Sequence, residues 1–206
     1  MRWDRFFEDL EDQLDSEWEA ERAALDTEAE RLRLSRVSLR ERLVALARDP
    51  RPVSVQLTDD TTLVGRLSRV GADWLAVTAE SADGAGGTTG AGGIVIVPLW
   101  GIVGIATTAD AVLASVRDAQ AGPAIEQRMG FGFIVRDLVR RRLAVGVQLH
   151  SGRTLSGTID RAGVDHLDLA LHDPGAPRRA ENVTGYRLVP FTAVVAVRLS
   201  AGGDLV

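Results

Sequence analysis

His166, Asp168 and His172 fall at even spacings, so an extended strand would aim all three side chains at one face. Imidazole and carboxylate are ligands for a divalent cation. Three ligands on one flat face do not converge without a further element, and the sequence expectation is no metal. Asp73 and Asp165 each close a glycine-x-aspartate turn, at Gly71 and Gly163. Either could reach a partner, but an aspartate in a turn more simply caps its own backbone. Arg66, Arg69, Arg140, Arg141, Arg142 and Arg161 are candidate contacts for nucleic acid or an acidic partner. The run 140–142 also suits the negative end of a helix.

Several chemistries are excluded outright. The chain has no cysteine, so a thiol nucleophile and a thiolate metal site are absent. All 24 cationic side chains are arginine, which removes lysine Schiff bases and the P-loop lysine. The glycine-rich stretch 84–93 therefore cannot work as a Walker-type phosphate loop. No Ser–His–Asp order or paired carboxylates stand out, so no enzyme, no cofactor and no small-molecule substrate are expected.

The elements that would position these residues follow from patterning. Residues 3–48 contain neither proline nor glycine and read as one long helix, or two with a kink. Trp18, Leu25, Leu32, Leu39 and Leu46 recur every seven residues, and Trp3, Phe7, Leu10 and Leu14 at steps of three and four. That is a narrow apolar seam on a charged rod. Trp3, Phe7, Leu10, Leu14, Trp18, Leu25 and Leu32 are the predicted partner-binding face. Strands are predicted at 53–57, 62–70 and 73–79, then two more around Pro98. A flexible loop is predicted at 81–93, a helix at 107–123, and helical tendency at 124–142 with interruptions at Gly130 and Gly132.

The strands then recur. At an offset of 92 residues, Val53–Glu80 aligns without a gap to Val145–His172, with 11 of 28 positions identical. Val97-Pro98 falls on Val189-Pro190 at the same offset. In the first copy Trp74, Ala76 and Glu80 replace His166, Asp168 and His172, so the histidine cluster is not part of the shared design. The predicted organisation is a helix at 1–49, a first barrel at 50–106, a helical connector at 107–142, a second barrel at 143–200 and a tail at 201–206.

A helix followed by five short bent strands, carried here by "VSVQLTDDTTLVGRLSRVGADWLAV" with "IVPLWGIVGIA" and their second copies, resembles the Sm-like (LSm/Hfq-like) small β-barrel superfamily. Gly65 and Gly157 match the glycine that bends the family's second strand. The resemblance implies an α+β fold: a long N-terminal helix plus two tandem Sm-like/SH3-like five-stranded β-barrels, each preceded by a helix. It implies barrels that associate through strand edges. The family's RNA-binding signature is not matched, since Leu75 and Leu167 stand where an asparagine would.

Charge separates the remaining readings. Residues 1–30 hold 12 acids and 3 arginines, residues 31–50 hold 6 arginines and 2 acids, and the rest balances. The whole net charge of −5 thus sits in the first fifty residues, which does not suit a nucleic-acid grip. The leading expectation is a non-enzymatic scaffold or adaptor that is a homo-oligomer or holds a protein partner. An RNA-binding regulator using non-standard arginine contacts is the alternative. The acidic N-terminus and the short, proline-broken apolar stretch 92–106 predict a cytoplasmic protein with no membrane span.

Overall fold

The computed structural model describes residues 2–79, 93–117 and 125–199, with side chains for 18, 19, 21–79, 93–117 and 127–199. Most of the predicted flexible loop 81–93, the end of the predicted helix 107–123 and the tail 201–206 lie outside the described residues. The chain divides into two compact units, Met1–Ser38 and Leu39–Val206.

The first unit is α1 (Arg2–Arg36), 35 residues and about 50 Å of helix at the usual rise. Arg33 and Arg36 lie in its last turn, where cations suit the helix dipole. Arg33 pairs with Glu30 at 2.7 Å, one turn earlier.

The second unit opens with α2 (Leu39–Leu46), followed by β1 (Val53–Leu57), β2 (Thr62–Val70), β3 (Trp74–Ala79), β4 (Ile94–Pro98) and β5 (Ile102–Ala106). Then come α3 (Ala109–Arg117), α4 (Phe131–Arg141), β6 (Ala144–Leu149), β7 (Thr154–Ala162), β8 (His166–Leu171), β9 (Gly185–Pro190) and β10 (Val194–Leu199). Gly130 ends the stretch before α4, whereas Gly132 is accommodated inside it.

The expected pair of five-stranded barrels, each preceded by a helix, is not what forms. Among the described residues the strands make one open ten-stranded antiparallel sheet in the order β5-β1-β2-β3-β4-β10-β6-β7-β8-β9, and there are four α-helices. The halves meet where β4 pairs with β10, Ile96 opposite Val197 and Val95 opposite Arg198. Neither half closes upon itself. Its fourth or fifth strand finds a partner in the other half instead, because an unpaired strand edge pairs with any strand that satisfies its N–H and C=O groups.

Burial explains why this joint is favourable. β3, β4 and β10 are buried on nearly every residue, so the sheet is covered on both faces at its middle. Successive side chains point to opposite faces, and two cores result. One gathers Leu43 and Val44 of α2 with β1, β2, Leu75, Val77, Val95 and Val97, and takes Val195 and Ala196 from β10. The other gathers Phe131, Val135 and Leu138 of α4 with the second-half strands, and takes Trp74, Ala76 and Ile96 from the first. Each core therefore contains residues of both repeats.

At the two predicted glycines the neighbouring strand passes too close for a side chain. A Cβ on Gly65 would collide with the Thr78 carbonyl oxygen, and one on Gly157 with that of Ala170. Both β2 and β7 carry a bulge shortly afterwards, between Leu67 and Arg69 and between Ile159 and Arg161. These irregularities increase local twist and re-aim side chains.

Candidate binding surfaces

The joint between the repeats is built from groups that the repeat alone does not mark. Asp73 does not cap its own turn. Its Oδ1 accepts the Phe131 backbone N–H at 2.6 Å, serving the first residue of α4, whose own preceding residue, Gly130, offers no side-chain cap. A carboxylate there satisfies an otherwise orphaned donor and meets the positive end of the helix. Trp74 Nε1 donates to the Met129 carbonyl at 2.8 Å. Trp100 Nε1 donates to the Phe191 and Val194 carbonyls, at 3.1 and 3.2 Å, and its ring meets Phe131 edge-on. Buried Gln148 of β6 donates to Asp59 and to Thr61 of the turn between β1 and β2. Burial pushes the Asp59 carboxyl upward. The donors Gln148 and Thr61 outweigh it and hold the group below the usual range.

The outer ends of the sheet have no such partners. β5 and β9 are its terminal strands, each with one side unpaired among the described residues. Both carry exposed apolar side chains: Val103 on β5 is 61% exposed, and on β9 Tyr186 is 56% and Leu188 74% exposed. The side chain of Asp165, the repeat counterpart of Asp73, is 86% exposed and lies 2.8 Å from its neighbour His166.

The histidine cluster disperses. His172 is buried and shares a 2.9 Å hydrogen bond with Thr158, while its Nδ1 donates to the Asp173 carbonyl. His166 faces Asp165. Asp168 keeps one buried oxygen without a hydrogen-bond partner among the described residues. No group of three potential ligands assembles among the described residues.

The predicted arginines separate into two sets. Arg66 and Arg69 lie on β2, with four strands between it and β7 in sheet order. Arg140 and Arg142, at the end of α4, line one pocket with Arg161 of β7. Arg141 pairs with Asp137 at 2.7 Å. The pocket measures about 550 Å³ and adds Thr158, Asp160 and Arg178 to its wall. Arg178 grips Asp160 with two nitrogens, Nε at 2.7 Å and one terminal nitrogen. This grip holds the Asp160 carboxyl below its usual range against the opposing effect of burial, and Arg161 and Arg142 add to it. Arg142 ends α4 with φ 53°, the left-handed region. Glycine ordinarily takes that position, and a side chain there costs about 1–2 kcal/mol. Sequence reasoning missed Arg178 and Asp160. Their one signal was departure from the repeat, since Ser68 stands opposite Asp160 and the first copy's glycine loop opposite Arg178.

On α1, the side chains of Trp3, Phe7, Leu10 and Leu14 lie outside the described residues. Trp18, Leu25 and Leu32 are described, and all three are exposed. No helix among the described residues is long and apolar enough to cross a membrane. No known protein family, characterised protein or solved structure matches the chain.

Proposed function

We propose that the protein is a non-enzymatic scaffold that associates with further copies of itself through the open margins of its sheet. The observation that carries this reading is the β4·β10 joint together with the strands left over. By the 92-residue offset, β9 is the second copy of β4, and β5 is the first copy of β10. A β9 margin laid on the β5 margin of another molecule repeats the internal joint. The offset turns Ile96 opposite Val197 into Leu188 opposite Ile105, and Val95 opposite Arg198 into Arg187 opposite Ala106. Asp165 then meets the first N–H of the neighbour's α2, at Leu39, as Asp73 meets Phe131.

The chain-to-chain version is weaker than the internal one. Gly101 lies so close to β10 that a Cβ there would stand 2.7 Å from the Val195 carbonyl oxygen, and its counterpart is Ala193. Thr192 replaces the Trp100 indole, and Ser151 replaces the Asp59 carboxylate. Association is therefore reversible and concentration-dependent. The exposed seam Trp18, Leu25 and Leu32 on α1 supplies a second self-association surface, because an isolated polar helix gains most of its stability from packing.

Light scattering over a concentration series tests the reading. The wild-type mass should rise with concentration, Leu188→Arg should lower it, and Ala193→Gly should raise it by removing the methyl that holds the margins apart. A wild type that keeps the mass of one chain at every attainable concentration refutes the proposal.

A further inference from the structure

We propose that the pocket between the end of α4 and the bulge of β7 binds the phosphate group of a small phosphorylated molecule. Four arginines line it from three separate stretches of chain: Arg140 and Arg142, Arg161, and Arg178. One carboxylate, Asp160, lies among them, and Arg178 already occupies both its oxygens. Arg140 approaches Asp137 only at 3.9 Å. Across the β7·β8 ladder, Asp168 stands opposite Arg161, with no ion pair between them among the described residues. Positive charge is thus left in excess. Guanidinium forks match the geometry of phosphate oxygens, and several arginines gathered in a recess repel one another until an anion joins them.

Two features indicate a built site rather than scattered surface charge. Arg142 holds a left-handed backbone conformation that glycine would adopt without strain, so the side chain is kept at a conformational cost. Asp160 is the extra residue of the β7 bulge, a device that re-aims side chains, and it orders Arg178 beside the pocket. The first repeat shares the bulge but has neither side chain. Its counterparts of Arg142 and Asp160 are Pro50 and Ser68. A recess of about 550 Å³ is the size of a small-ligand site, whereas a nucleic-acid strand needs an extended basic track.

The test uses the full chain and isothermal titration with inorganic phosphate, with glycerol 3-phosphate and with a short single-stranded RNA, against chloride at matched ionic strength. Saturable binding of phosphate and of the monoester is expected. Arg161→Gln and Arg142→Gly should each weaken it at least about tenfold, while Arg66→Gln leaves it unchanged. Arg142→Gly separates binding from folding, since glycine relieves the backbone and thermal stability should hold or rise while affinity falls. Heats no larger than those of chloride overturn the proposal. So does binding of the RNA alone, which would make the arginines part of a backbone-tracking surface. These titrations do not depend on self-association, so the Leu188→Arg chain should bind phosphate as the wild type does.

Discussion

Replacing Asp73 and Asp165 by alanine, one at a time, separates the joint inside the chain from the margin outside it. The two residues hold equivalent positions in the repeat. Asp73 accepts the Phe131 N–H at 2.6 Å in a partly buried setting, and the other end of that contact is the start of a helix whose residues Phe131, Val135 and Leu138 are core. Losing a helix cap costs about 0.5–2 kcal/mol, and a hydrogen bond to a charged group is worth about 1.5–3 kcal/mol. These are overlapping descriptions of one contact, so Asp73→Ala should cost about 2 kcal/mol. In a domain of this size that lowers the melting temperature by roughly 4–8 °C. Asp73→Asn keeps a capping oxygen and should recover most of the loss. Asp165→Ala should change stability by no more than about 0.5 kcal/mol, as exposed substitutions do. Its effect should instead appear as weaker self-association. Differential scanning calorimetry at low protein concentration reads the first quantity, and light scattering reads the second. The reasoning fails if the two alanine variants melt alike, or if Asp73→Ala melts with the wild type.

Three further outcomes are expected. Gly157→Ala places a methyl against the Ala170 carbonyl of the neighbouring strand, where backbone cannot retreat without breaking the ladder; urea unfolding should show a loss of about 3 kcal/mol or more. The carboxyl of Asp160 is held low by Arg178, below an unfolded value of about 3.9, so its contribution is fully present above that value and is lost as pH falls through the lower folded one. Asp160→Asn should therefore be less stable than wild type at neutral pH, with the gap narrowing as pH falls below about 3.9, and a stability gap that does not change with pH contradicts the ion pair. Leu25→Glu with Leu32→Glu should reduce the associated mass without shifting the melting of the sheet, since both side chains are exposed; a lower melting temperature would show that the seam supports the fold instead.

Local structure was readable where a side chain reports its own surroundings. Alternation placed Val53–Leu57 and Thr62–Val70 as strands, and a glycine inside each second strand marked where the backbone of the next strand passes too close for a Cβ. The repeat was readable for the same reason, since identical positions do identical local work. Asp73 shows where such reading stops. Its sequence neighbourhood is a turn, and its function lies with a helix 58 residues away.

The order of periodic elements, the duplication and the glycines of close strand approach were all present in the amino-acid string, because apolar spacing and glycine act over a few residues. The meeting of β4 with β10, the sharing of each core between repeats, and the gathering of Arg140, Arg142, Arg161 and Arg178 arose only with the folded chain. Every strand margin offers the same backbone donors and acceptors, so no side chain labels which margin it will join. The arginines are brought together by a bulge and a left-handed residue, backbone events that a residue's type does not announce.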